Sequence, residues 1–120
     1  MSLRKDGCDL IMHQGDIAYL NVKIRKLSKI DPNDKLVFTV SRRMTFGDAV
    51  IIKEVCGSEF RDKIATFYFD EKDTSKLATG NYYYGIRYYK FEDETYSKFT
   101  AVSDRRFIIK PHTPDSLGGG

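Results

Sequence analysis

Residues Phe69–Lys90 read FDEKDTSKLATGNYYYGIRYYK: an acid-bearing polar turn, one leucine, then five tyrosines within the eight residues Tyr82–Tyr89. The fold turns on whether those rings line a groove, stack on a nucleic acid, or fill the two sides of a strand. In an extended chain successive side chains point to opposite faces. Tyr82, Tyr84, Ile86 and Tyr88 therefore share one side, and Tyr83, Arg87 and Tyr89 the other. Tyrosine suits a pleated, half-buried surface, with its ring in the core and its hydroxyl at the rim. The first set is expected inside and the second outside. The turn before them agrees with this. Asp73 and Thr74 are placed to cap a tight helical turn, Leu77 to plug the base of the core, and Gly80 to permit the reversal into the strand. An acid-capped turn, a leucine plug and a tyrosine in the next strand make the corner of immunoglobulin-like sandwiches.

The same two-residue period runs outward in both directions. CDLIMH is a short apolar strand closed by the turn Gln14-Gly15-Asp16. IAYLNVKIRK sets Ala18, Leu20, Val22 and Ile24 against Tyr19, Asn21, Lys23 and Arg25. LSKIDPNDK connects strands, and LVFTVSRRM turns Leu36, Phe38 and Val40 inward. AVIIKEVC is more evenly apolar, and IATFYFD has Ala65, Phe67 and Phe69 on its core side. After the acidic turn FEDE, TYSKFTAVSDRRFIIK points Phe107 and Ile109 inward. About seven short strands at regular spacing predict an all-β, immunoglobulin-like antiparallel sandwich. A small barrel shares the same periodicity and stays open as the alternative. The expected organisation is a leader over 1–8, the sandwich over 9–111, and a flexible tail over 112–120, where Pro114 and a glycine run stand.

At 120 residues the chain has material for one core. Its net charge of +3, from 20 basic and 17 acidic residues, is too small to argue by itself for a nucleic-acid partner. No apolar run approaches the length of a membrane span, and the first residues lack a signal-peptide core, so synthesis in the cytoplasm without a signal peptide is expected. Cys8 and Cys56 are the two cysteines. They form no CxxC or CxxH pattern and read as reduced thiols packed as small hydrophobes.

Several longer pieces resemble a known family: LIMHQGD near the start, LVFTVSRR in the middle, ATFYFDEKDTSKLATGNYYYGIRY as the longest, and RRFIIKP at the end. Together, over Asp9–Pro111, the chain resembles the immunoglobulin-like N-terminal domain of phage baseplate upper proteins and of related phage and prophage tail modules. The most specific element is the string Asp73-Thr74, Leu77, Gly80, Tyr82-Tyr83-Tyr84. The resemblance implies a non-enzymatic assembly module of a tail baseplate, located in the virion. Its partners would be other tail proteins, with self-association also open. Nothing resembles the helical, trimer-forming parts of longer family members, and the tryptophan and cysteine spacing of antibody domains is missing.

The residues agree with a binding role. His13 and His112 are the two histidines, and no Ser-His-Asp, Cys-His or HExxH arrangement can be built from them. The segment DPND, Asp31–Asp34, lacks the spaced ligands and closing glutamate of a calcium loop. No catalytic residue, metal ligand or cofactor is expected. Arg42, Arg43, Arg87, Arg105 and Arg106 lie among tyrosines, but acids interrupt every basic cluster, which argues against a nucleic-acid groove. If LVFTV, YYYGIRYY and RRFIIK lie in one sheet, its outward face carries Val37, Thr39, Tyr83, Arg87, Tyr89 and Ile108. Tyr and Arg are enriched at interface hot spots, so Tyr83, Arg87 and Tyr89 are expected on an exposed docking surface. The alternative function is a carbohydrate-binding or adhesion sandwich that contacts the host surface.

Overall fold

Alternation becomes pairing in the computed structural model, which describes residues 4–6, 9–24, 29–43 and 49–111, with 4–6 and 101–104 as backbone. Its strands are β1 (Arg4–Asp6), β2 (Asp9–His13), β3 (Ala18–Lys23), β4 (Lys35–Ser41), β5 (Ala49–Cys56), β6 (Ile64–Phe69), β7 (Gly80–Glu92) and β8 (Thr95–Lys110). One helical turn, α1 (Glu71–Ser75), joins β6 to β7. The strands form a six-stranded sheet in the order β1-β2-β8-β7-β4-β5 and a two-stranded sheet of β3 and β6. The protein is thus all-β and built as a sandwich. The strand β1 lies inside the segment expected to be a leader and pairs antiparallel with β2. The rest of that leader, with Cys8, Arg25, His112 and the expected tail, lies outside the described residues.

The core sits between the sheets and is aromatic. Phe38 of β4 is fully buried, with the rings of Phe67, Phe69, Tyr84 and Phe107 centred 5.6, 5.5, 5.3 and 6.1 Å away. Tyr82, Tyr84, Ile86 and Tyr88 are all buried, as their shared strand face requires. Rings at these separations, mostly tilted or edge-on, add specific geometry to the burial of large apolar area.

The α1 corner differs in detail from the sequence reading. The cap of α1 is Asp70, whose carboxylate accepts from Lys72 N–H at 2.9 Å, while Asp73 closes the box by accepting from Asp70 N–H at 2.8 Å. Thr74 is buried and serves the neighbouring turn instead: its Oγ1 accepts from Gly15 N–H at 2.9 Å. Gln14 Nε2 donates to the Leu77 carbonyl at 2.6 Å, so the first turn and the α1 corner are stitched together. Leu77 packs half-buried against the core. Gly80 enters β7 with φ 138°, a backbone that side chains rarely adopt. The Tyr82 hydroxyl donates to the Ala78 carbonyl at 2.8 Å, closing the corner.

Candidate functional site

The DPND turn roots the region where a site forms. Asp31 Oδ1 accepts from Asn33 N–H at 2.8 Å, and the Asp31 carbonyl accepts from Asp34 N–H at 2.9 Å. The turn rests on Gly57, where an added Cβ would collide with the Asp31 carbonyl. Asp34 is 0% exposed and accepts from four donors: Phe91 N–H at 2.7 Å, Tyr88 hydroxyl at 2.5 Å, Asp31 N–H at 3.0 Å and Lys90 Nζ at 3.1 Å. Burial pushes its carboxyl upward, but those donors outweigh it and hold the group below the ordinary carboxylate value. Tyr88 moves the other way: burial, and then the hydrogen bond to Asp34, raise its phenol above the ordinary value. With its acceptors engaged by four donors, this carboxylate anchors the connection to the end of β7.

Above that root lies the outer face of the six-stranded sheet. The register sets Val37 opposite Arg87, Thr39 opposite Gly85, Ser41 opposite Tyr83, and Lys35 opposite Tyr89. All six residues expected outward do share this face, because β8, β7 and β4 are neighbours. They are half-buried, however, where an exposed surface was expected. Long side chains on adjacent strands lie across one another, so each ring covers part of the next. Val37 and Tyr89 meet Lys35, Glu54 and Tyr96 around an open depression of about 460 Å³. Ile108 stands apart, opposite Asn81 and Ile11, and Thr39 and Tyr83 lie further up the sheet.

The depression is framed by charge and rings. Lys35 Nζ is 3.7 Å from Glu54 and 5.7 Å from the centre of the Tyr96 ring. Phe91 lies 5.1 Å from that ring, and the Tyr96 hydroxyl donates to the Asn33 carbonyl at 3.3 Å. Aromatic area and both signs of charge thus stand within one patch. Sequence reasoning missed Lys35, Glu54 and Tyr96. Alternation points to Lys35, two residues before Val37. Glu54 sits in a run too evenly apolar to show its period. Tyr96 comes into place only through its pairing with Phe91 across the β7–β8 hairpin. A second aromatic pair, Tyr19 and Tyr68, is exposed on the outer side of the two-stranded sheet, with ring centres 5.0 Å apart.

The other candidate groups do not converge. His13 ends β2 opposite Lys110, and Arg42 and Arg43 are exposed beyond β4. Arg106 is paired with Asp9 at 2.8 Å. Cys56 is a free, half-buried thiol. Among the described residues, no three His, Cys, Asp or Glu side chains stand together as a metal site would need, and no helix is long and apolar enough to cross a membrane. Compared with protein-family models, curated proteins and solved structures, the chain matches none.

Proposed function

We propose that the chain is an immunoglobulin-like sandwich that works, without catalysis or a cofactor, as a docking module of a phage or prophage tail baseplate. The fold reading is supported by strand order: β8-β7-β4-β5 follows the G-F-C-C′ order of such domains, and β3-β6 follows B-E. It is also supported by the bond from Tyr82 to Ala78, the tyrosine-corner arrangement at the start of strand F. Two residues on, where antibody domains carry a cysteine, Tyr84 stacks on Phe38 of the neighbouring strand at 5.3 Å. The tail location rests on the resemblance of Asp9–Pro111 to baseplate domains.

One observation carries the docking role: Tyr83, Arg87, Val37 and Tyr89 stand together on one pre-formed sheet face, beside a depression that also holds Lys35, Glu54 and Tyr96. A rigid face of aromatic and arginine side chains binds a neighbour with little ordering cost. Protein recognition is preferred to sugar recognition because the Tyr96 ring already has Lys35 and Phe91 against it, which leaves a poor platform for a sugar ring.

The test is co-expression with the proteins encoded beside this chain, followed by affinity capture. The parent chain should retain a tail protein. The triple variant Tyr83→Ala, Arg87→Ala, Tyr89→Ala should lose at least about tenfold in affinity while keeping its circular dichroism. Equal capture by both chains would remove this face from the interface. Saturable binding on a glycan array would favour the adhesion reading.

A further inference from the structure

The longest strand of the molecule leaves most of one side unpaired among the described residues. β8 runs over 16 residues, yet β2 covers only Phe107–Lys110. Among the described residues, Thr95–Arg106 pair with β7 alone, which leaves one row of backbone N–H and C=O groups unpaired along the other side. Register irregularities fall opposite Tyr84–Arg87, so the regular part of the edge is Thr95–Thr100. Edge strands are commonly blunted by proline, by several charges, or by shortness. Thr95–Thr100 has no proline, no glycine and a single charge, Lys98. It carries Tyr96 on the outer face, 48% exposed, and Phe99 on the inner face, 52% exposed. A strand laid along this edge would cover both rings. The opposite edge of the same sheet, β5, carries the adjacent charges Lys53 and Glu54 in its middle.

We propose that this edge pairs antiparallel with the same segment of a second copy of the chain, joining two six-stranded sheets into one across a two-fold axis at Ser97. A copy of this chain suits the site because acceptor and donor are already extended and held in place by β7. Pairing therefore orders nothing new, whereas a disordered peptide would lose conformational entropy on binding. Charge placement agrees. With the axis at Ser97, each Lys98 lies beside Tyr96 of the other copy on the outer face, where a cation meets a ring, and the two Lys98 side chains stay apart. On the inner face Phe99 lies beside Thr95 of the other copy. The closed two-fold arrangement buries both edges and ends assembly at a dimer.

This dimer uses the strand edge and shares only Tyr96 with the depression, leaving Val37, Tyr83, Arg87 and Tyr89 uncovered, so it stands or falls separately from the tail role. Sedimentation equilibrium should show the mass rising from monomer toward dimer as concentration approaches about 100 µM, the range of a weak contact. Phe99→Lys should remain monomeric at that concentration with an unchanged melting temperature, since Phe99 is half in solvent. Ser97→Cys should oxidise to a covalent dimer under conditions where the parent chain does not. The triple variant of the docking face should dimerise like the parent. A parent that stays monomeric, a Phe99→Lys chain that dimerises as well as the parent, or a Ser97→Cys chain that fails to cross-link would each overturn the proposal. So would dimerisation lost in the triple variant, or cross-linking of Ser97→Cys to a co-expressed tail protein in place of its own copy.

Discussion

Asp34 shows what one residue decides in this protein. It is the only residue of DPND to be fully buried, and its four donors come from the turn itself and from the end of β7. Replacing it with Asn removes the charge that holds Lys90 and leaves some donors without a good acceptor. That should cost about 2–3 kcal/mol, measured by urea denaturation. The pH dependence follows from the two shifts. Asp34 has a folded pKa below its ordinary 3.8, so its contribution is present above that value and is lost as pH falls below it. Tyr88 has a folded pKa above its ordinary 10.0, so its contribution is present below that value and is lost as pH rises past it. Stability from this pair should hold between about pH 4 and pH 10 and fall on both sides. In Tyr88→Phe the alkaline decline should flatten, and an unchanged alkaline limb would show that Tyr88 is not its source. The five acids of the two turns, Asp31, Asp34, Glu92, Asp93 and Glu94, look alike in the sequence. Asp34 differs from the others only because the fold closes over it.

At the scale of elements, the tight connections carry strain that the sequence pattern does not reveal. The β7–β8 hairpin turns through Asp93 and Glu94, both in the left-handed region with φ of 50° and 64°. Asp62 and Lys63, ahead of β6, do the same with φ of 51° and 63°, between Arg61 and Ile64, which exchange backbone hydrogen bonds at 2.9 and 2.8 Å. Two-residue turns with both φ values positive match the right-handed twist of the strands, and glycine is favoured in them. Glu94→Gly should therefore stabilise the protein by about 0.5–1 kcal/mol, seen as a rise of roughly 3–5 °C in thermal melting. A fall in melting temperature would mean that the Glu94 side chain makes a contact worth more than the backbone strain. The α1 corner teaches a related lesson. Acids and a threonine near a short helix were legible as capping material. Which of them caps and which reaches the Gln14-Gly15 turn was decided by the packing of that turn against the α1 corner.

For the whole molecule, stability depends on a shared aromatic core spanning both sheets. Phe38 comes from the six-stranded sheet and touches Phe67 and Phe69 of the two-stranded one, along with Tyr84 and Phe107 of its own. Lys53 makes a second tie at the border: its Nζ lies 2.9 Å from Asp73 and 5.8 Å from the centre of the Phe69 ring. Phe38→Ala would remove the ring that four others pack on. It should cost about 3–5 kcal/mol, enough to leave a domain of ordinary stability largely unfolded on mild heating. Cooperative melting near the parent temperature would show that the core can collapse around the gap.

The sequence by itself determined which side chains face inward, because strand alternation is a property of local backbone geometry and needs no knowledge of the neighbour. That was enough to place Tyr82, Tyr84 and Tyr88 inside and Tyr83, Arg87 and Tyr89 outside. Only the tertiary structure decided which strands lie beside which, since pairing joins segments far apart in the chain and their register is set by packing across both sheets. The half-burial of the outer sheet face, the depression shared with Lys35, Glu54 and Tyr96, the closure over Asp34 and the edge of β8 left open among the described residues all follow from that pairing.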